Sequence, residues 1–161
     1  MIICGIDPGT ATTGFGIVKK NGSNFIMLDY GVIATSPKDT ASKRLEKIFQ
    51  EISLLLRKHT PDLVVVEKLY FFKNLKTAMP VAEARGVILL AIQQNKIKVI
   101  ELTPLEVKMG ICGYGRAEKQ QVQKMVKKIF KLEKIPKPDD AADALALAIC
   151  GALKSRCGGC G

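Results

Sequence analysis

The chain has 161 residues, of which 47% are hydrophobic and 25% charged, and its formal net charge is +10. These values are typical of one soluble globular domain, and no apolar run reaches the roughly 20 residues of a membrane span, so we expect no membrane insertion. The absence of an export signal predicts a cytoplasmic location. The positive charge indicates a polyanionic partner such as nucleic acid, although solubility alone could account for it.

The first predicted element is a strand that ends in an acid. Residues 2–6 form a continuous apolar run, as in a strand buried on both faces. Pro8 and Gly9 end the run and leave Asp7 at its carboxyl end, where sites tend to form in sheets with parallel strands. Asp7 therefore suits a metal or phosphate site, with a role confined to the turn as the alternative.

The next segments predict a meander and a helix. Runs over 15–19 and 25–33, separated by a Lys-Asn-Gly-Ser turn, predict two strands antiparallel to the first. From Thr40 onwards, apolar residues recur at helical spacing. His59, the only histidine, falls at the end of this helix, where we expect it to interact with the helix dipole or cap the helix.

A second continuous apolar strand, over 63–66, ends in Glu67. Because the preceding helix forms a crossover, this strand should lie parallel to the first one. Asp7 and Glu67 would then share one edge of the sheet. A solvated glutamate at the end of a strand is the alternative.

Aromatic and small residues follow. Tyr70 begins a Tyr-Phe-Phe run next to Lys73, which could stack on unpaired bases or belong to the core. The predicted helix over 77–95 carries small residues at every fourth position. These small residues, which could contact another helix of the monomer or a second subunit, are Ala78, Ala82 and Gly86.

The third part of the chain is rich in lysine. After a strand over 98–102, Thr103-Pro104-Leu105-Glu106 has the spacing of a capping box, and the short helix that follows carries Lys108. A basic glycine-rich loop containing Arg116, which we expect to be mobile, leads to a helix with many lysines, including Lys119. A lysine face is often only solvated, but its position beside this loop favours phosphate contacts.

The last predicted helix, which runs through Leu153, brings further acids to the sheet. Asp140 and Asp143 are three residues apart and lie on one side of it. Asp143 lies on the apolar stripe, where a charge is costly unless it is paired or bound to metal. Asp139 follows a proline, and we expect it to precede the first turn as a cap.

The cysteines contribute little to this prediction. Their number, five, is odd, which indicates reduced thiols rather than a disulfide framework. Cys157 and Cys160 form a single Cys-Gly-Gly-Cys pair, a weak signal for zinc or redox chemistry. We expect a folded domain over 1–153 and a flexible tail over 154–161.

Together these elements predict an α/β domain with four acids on one edge of a mixed sheet. Such a cluster in a basic protein fits a two-metal phosphodiester nuclease, and oxygen ligands suit Mg²⁺ or Mn²⁺. An actin-like or sugar-kinase-like ATPase also begins with a phosphate turn of this type, but it needs two such domains. A non-catalytic nucleic-acid-binding module explains the charge but not the acids.

The sequence resembles the bacterial RuvC Holliday junction resolvases over about residues 1–153. The matching motifs, in chain order, are GIDPGTATTGFG, VVVEKLYFFKN, EARGVI, GRAEKQQVQKMV and DDAADALALAI. The resemblance implies a ribonuclease H-like fold with a five-stranded mixed sheet flanked by helices. It also implies a homodimer that nicks four-way DNA junctions symmetrically in recombination and repair, with two Mg²⁺ ions per site and a branch-migration helicase complex as partner.

The resemblance also assigns roles to individual residues. It implies catalytic and metal-binding roles for four acids, which are Asp7, Glu67, Asp140 and Asp143. Tyr70 would stack at the junction centre, and Lys108 and Lys119 would contact DNA phosphates. Lys73 and Arg116 are further DNA-binding candidates because of their basic surroundings.

Overall fold

A mixed sheet forms the centre of the protein. In the computed structural model, which describes residues 1–68 and 75–157, this sheet has five strands. They are β1 (Ile2–Asp7), β2 (Thr12–Asn21), β3 (Asn24–Ala34), β4 (Leu63–Glu67) and β5 (Lys98–Leu102). Their order across the sheet is β3-β2-β1-β4-β5. The first three strands form the predicted antiparallel meander, while β1, β4 and β5 are mutually parallel, so the predicted mixed sheet is confirmed.

Helices cover both faces of this sheet. Within the same described residues they are α1 (Ala41–His59), α2 (Leu75–Gln94), α3 (Pro104–Cys112), α4 (Lys119–Ile129) and α5 (Asp139–Cys157). α1 and α2 pack on one face, and α3, α4 and α5 pack on the other. None of these helices is long and apolar enough to cross a membrane.

The continuous apolar runs of the central strands follow from this layering. Along β1, Ile3 belongs to the core beneath α5, whereas Cys4 and Ile6 belong to the core beneath α1 and α2. Successive side chains of a strand point to opposite faces, so a strand covered on both sides must be apolar at every position. The runs read from the sequence therefore identify the two innermost parallel strands.

Helix ends agree with the sequence in some places and differ in others. The predicted capping box at the start of α3 is present, with Thr103 and Glu106 bonded to each other's backbone N–H groups. α5 begins at Asp139 itself rather than after it, and it continues to Cys157, past the predicted end at Leu153.

His59 lies in the last turn of α1, as predicted, and it also has a side-chain partner. Its Nε2 lies 3.0 Å from Asp29 Oδ2 on β3, and the neighbouring Lys58 contacts the same carboxylate. His59 therefore interacts with an acid on the sheet in addition to its position at the end of the helix.

Candidate active site

Two acids meet where the central parallel strands end. Ile6 of β1 is paired with Val66 of β4, so the next residues, Asp7 and Glu67, lie side by side at the carboxyl edge of the sheet. Each of these carboxyl groups influences the pKa of the other. The parallel crossover through α1 thus joins two acids that are far apart in the sequence.

The first turns of α5 bring two more acids to the same edge. Carboxylate oxygens of Asp7, Asp140 and Asp143 all lie within 4.8 Å of one another. Asp140 is held by Thr12 of β2, whose Oγ1 donates to Asp140 Oδ2 at 2.6 Å. Thr12 was not singled out from the sequence. The sequence shows only that three threonines follow the Pro8-Gly9 turn, and no local pattern links one of them to an acid 128 residues away.

Asp139 is oriented differently, although it is the neighbour of Asp140. Its Oδ1 lies 2.8 Å from Lys137 Nζ, and it is not part of the cluster of three aspartates. Lys137 holds the pKa of Asp139 below its ordinary value. The structure therefore brings Asp140 and Asp143 to Asp7, and leaves Asp139 outside.

The acids are crowded and only partly neutralised by the protein. Burial and then the charge of Glu67 raise the pKa of Asp7 from an ordinary value of 3.8 to about 8. Burial also raises the pKa of Glu67, although the hydrogen bond with Asp7 opposes the rise. The pKa of Asp143 is likewise raised by burial, against the effect of Lys119. Ionised carboxylates are therefore costly here unless a cation joins them.

The donor set of this cluster fits a divalent cation. All of its donors are carboxylate oxygens, the ligands that hard ions such as Mg²⁺ and Mn²⁺ prefer. A cation would also stabilise the ionised form of Asp7, which burial and the neighbouring carboxylates disfavour. The arrangement therefore satisfies both the chemical and the electrostatic requirements of a metal site.

Lysines approach the cluster from the side of α3 and α4. A cavity of about 170 Å³ is lined by Glu67, Lys108, Lys119 and Asp143, among others. Lys119 Nζ lies 2.8 Å from Asp143 Oδ2. Burial disfavours the charged form of Lys119, but Asp143 outweighs it and raises the pKa of the ammonium. Lys119 thus contacts an acid of the cluster, although its side chain is 53% exposed.

The remaining candidates are in varied positions. Arg116 is exposed in the turn between α3 and α4, where the N–H of Ala117 donates to the carbonyl of Tyr114 at 3.2 Å. Tyr70 and Lys73 lie outside the described residues. On α2, two of the small residues, Ala78 and Ala82, are half-buried, and the third, Gly86, is exposed.

A mixed sheet in this order, with carboxylates at the ends of its central strands and on the helix beneath them, defines a nuclease of the ribonuclease H-like class. Residues 3–151 match the family "Crossover junction endodeoxyribonuclease RuvC". The chain belongs to this RuvC family of crossover junction endodeoxyribonucleases, so the family and the fold inferred from the sequence are confirmed.

Individual relatives are similar over nearly their whole length. The crossover junction endodeoxyribonuclease RuvC of Natranaerobius thermophilus is 53% identical over 150 residues, which is 93% of each chain. The structure of Thermus thermophilus RuvC superimposes with a TM-score of 0.91 at 34% identity, covering 98% of this chain and 97% of that one. T. thermophilus RuvC in complex with a Holliday junction substrate gives a TM-score of 0.90 at 31% identity with the same coverage.

Family membership decides between the classes that the sequence left open. An endodeoxyribonuclease is an enzyme, which rules out a purely non-catalytic binding module. The match extends over the whole sheet and all described helices up to residue 151, which also rules out an actin-like or sugar-kinase-like ATPase. This protein is therefore a Holliday junction-resolving endonuclease.

Proposed function

We propose that this endonuclease binds four-way DNA junctions as a homodimer and resolves them by symmetric nicks on two opposing strands, in recombination and repair. Its net charge of +10 suits a polyanionic substrate. A T. thermophilus relative with almost the same fold has been observed with a Holliday junction substrate. A branch-migration helicase complex is a further proposed partner, on the basis of the family alone.

Catalysis is assigned to the acidic cluster. Asp7, Glu67, Asp140 and Asp143 would together hold two Mg²⁺ ions, for which Mn²⁺ would substitute. The observation that carries the proposal is the convergence of three aspartates within 4.8 Å, with Glu67 next to Asp7. Such ions, when bound, activate a water molecule and stabilise the leaving oxygen of the phosphodiester.

Other residues of this chain would position the carboxylates and the DNA. Thr12 fixes the orientation of Asp140 through a 2.6 Å hydrogen bond. Lys119 and Lys108 line the cavity beside Glu67 and would contact phosphates near the cleaved bond. Arg116 would bind phosphate further along the same strand. Outside the described residues, Lys73 would bind DNA, and Tyr70 would stack on a base at the junction centre.

The proposal is tested by cleavage of a synthetic junction with each strand labelled in turn. We expect paired nicks that require Mg²⁺ or Mn²⁺, little cleavage of linear duplex, and no ATP hydrolysis. Asp7→Asn and Glu67→Gln should abolish cleavage but retain junction binding, because they remove ligand charge and also reduce repulsion of phosphate.

The matched control is Asp39→Asn, which changes an exposed acid just before α1. Its cleavage rate should equal that of the unmodified protein. Loss of both binding and cleavage in folded Asp7→Asn protein would count against a metal-binding role for the cluster. Cleavage that continues after removal of all divalent ions would do the same.

A further inference from the structure

A second cavity lies on the α1 and α2 side of the acidic cluster, away from Lys108 and Lys119. Its volume is about 420 Å³, and its lining includes Asp7, Thr10, Thr12, Arg44 and Asp140. It shares no lining residue with the cavity that contains the lysines. The cluster therefore has a basic side chain on each side, and Arg44 has no role in the function proposed above.

Arg44 is held in place at this cavity. It lies in the first turn of α1, and its Nε donates to Thr35 Oγ1 at 2.8 Å. The hydroxyl of Thr35 donates in turn to the carbonyl of Thr10 at 2.6 Å. A guanidinium carries five N–H donors, so a single such bond restricts its position without using its binding capacity.

Arg44 differs from Lys119 in its contacts with acidic side chains. In the described part of the chain it forms no ion pair, in contrast to Lys119, which contacts Asp143. Thr10 adds a second donor, because its Oγ1 is buried without a hydrogen-bond partner among the described residues. A buried hydroxyl without a partner is costly, and a ligand oxygen would satisfy it.

An anion with several oxygens matches these two donors. Arginine binds phosphate in a bidentate manner, and a threonine hydroxyl can donate to a third oxygen. The nearby carboxylates of Asp7 and Asp140 would repel a free anion, so a phosphate must be held there by the rest of its strand. In DNA the phosphate next to the scissile one satisfies this condition, because the backbone fixes it close to the cluster.

We propose that Arg44 and Thr10 bind the phosphate adjacent to the scissile phosphate on the cleaved strand. The strand is then held on both sides of the cluster, by Lys119 on the α4 side and by Arg44 on the α1 side. Arg44 is thus a substrate-positioning residue. This inference rests on the proposed function, because it requires the acidic cluster to be the site of cleavage.

The test combines Arg44→Ala with junctions that carry one neutral methylphosphonate at successive positions around the cleavage site. Loss of a charge-assisted hydrogen bond should slow single-turnover cleavage of the ordinary junction by about tenfold to a hundredfold. For the unmodified protein, one methylphosphonate adjacent to the scissile phosphate should have a similar effect. Arg44→Ala should show no further loss with that methylphosphonate, whereas losses at the other positions should add.

Matched variants separate contact from structure. Arg57→Ala removes an exposed arginine in the last turn of the same helix and should leave the pattern unchanged. Arg44→Lys keeps the charge and should recover part of the rate on the ordinary junction. Thr35→Val, which removes the hydroxyl that holds Arg44, should lower the rate less than Arg44→Ala.

The possible results are distinguishable. If the unmodified protein does not cut junctions with Mg²⁺, the proposed function fails. If it cuts them and folded Arg44→Ala protein cuts equally fast, only the role of Arg44 is wrong. The role would also be overturned if the loss of cleavage rate from each methylphosphonate added fully to the loss from Arg44→Ala and from Arg44→Lys at every position. A contact to one phosphate can be removed only once, so at that position the two losses should not add.

Discussion

Asp139 and Asp140 are adjacent in the chain, but their carboxylates have different partners. Asp140 accepts a hydrogen bond from Thr12 and lies with Asp7 and Asp143, whereas Asp139 contacts exposed Lys137. One step along a helix rotates a side chain by about 100°, because there are 3.6 residues per turn. The register of α5 therefore decides which acid is available to a metal.

This register leads to the first prediction. Asp140→Asn and Asp143→Asn should each lower the single-turnover cleavage rate by orders of magnitude, since each removes a ligand charge from the cluster. Asp139→Asn should change the rate by no more than a few-fold. Thermal melting of the three variants checks that all are folded. An inactive Asp139→Asn protein with an active Asp140→Asn protein would instead assign the metal to Asp139 and Asp143.

A second prediction concerns Asp7 in metal-free protein. The pKa of Asp7 is about 8 in the folded state and ordinarily 3.8, so the folded state holds the proton more tightly. The resulting stability is fully present below about pH 4 and is lost as pH rises through 8. In the presence of a chelator, the melting temperature of the unmodified protein should therefore fall between pH 5 and pH 9. The fall should be several degrees larger than that of Asp7→Asn protein, since a domain of this size loses about 2 to 4 °C per kcal/mol.

Added Mg²⁺ should restore the melting temperature at pH 9, because the cation stabilises the ionised carboxylates. The effect should be absent in Asp7→Asn protein if Asp7 is required for metal binding. Equal pH dependence in the two metal-free proteins would show that Asp7 is not the group that titrates.

At the scale of elements, close packing of α5 on β1 and β2 positions the acids. A Cβ at Gly14 would collide with the backbone carbonyl of Asp140, and a Cβ at Gly5 would collide with the carbonyl of Ala144. Glycine at these two positions lets the helix backbone approach the strands closely. The start of α5 thus lies within reach of Thr12 and Asp7.

The third prediction follows from this contact. Gly14→Ala should displace the start of α5, lower the free energy of unfolding by about 1 to 3 kcal/mol, and reduce cleavage strongly. Gly31→Ala on β3 is the matched control, because its Cβ would approach only the ring of Phe15, at 3.1 Å. It should cost less stability and leave cleavage unchanged. Urea unfolding and junction cleavage measure the two effects, and full activity in Gly14→Ala protein would contradict the role of this contact.

At the scale of the whole molecule, the surface of α2 is the main candidate for a dimer interface. Its large apolar side chains Met79 and Leu90 are 69% and 52% exposed. With Glu83 and Gly86, both exposed, they form one stripe along the helix. We propose that a dimer interface would include this stripe together with the small residues, of which Ala78 and Ala82 are half-buried in the monomer.

The fourth prediction tests this stripe. Gly86→Phe and Leu90→Glu should each give a folded monomer. In a two-fold symmetric interface each substitution is present on both subunits, so its effect on the interface is doubled. Such monomers should lose paired nicking of the junction. Leu54→Glu on α1, where the leucine is 56% exposed, is the matched control and should remain dimeric. Sedimentation gives the oligomeric state, and dimeric Gly86→Phe and Leu90→Glu proteins would place the interface elsewhere.

The elements of the fold and the general position of the acids follow from patterns in the sequence. Continuous apolar runs marked the two inner strands, and the helix between them made these strands parallel. Asp7 and Glu67 had to share an edge for this reason. Each of these inferences depends on local pattern and chain connectivity, which the order of residues contains directly.

Which side chains meet depends on the way the elements pack, and this is seen only in the folded protein. The bond from Thr12 to Asp140, the ion pair of Lys119 with Asp143, and the chain of bonds from Arg44 to Thr10 all join different elements. The partner of His59 on β3 is of the same kind. Such pairs depend on the rotation and depth at which helices pack on the sheet. Many distant residues set that packing together, so no local pattern predicts it.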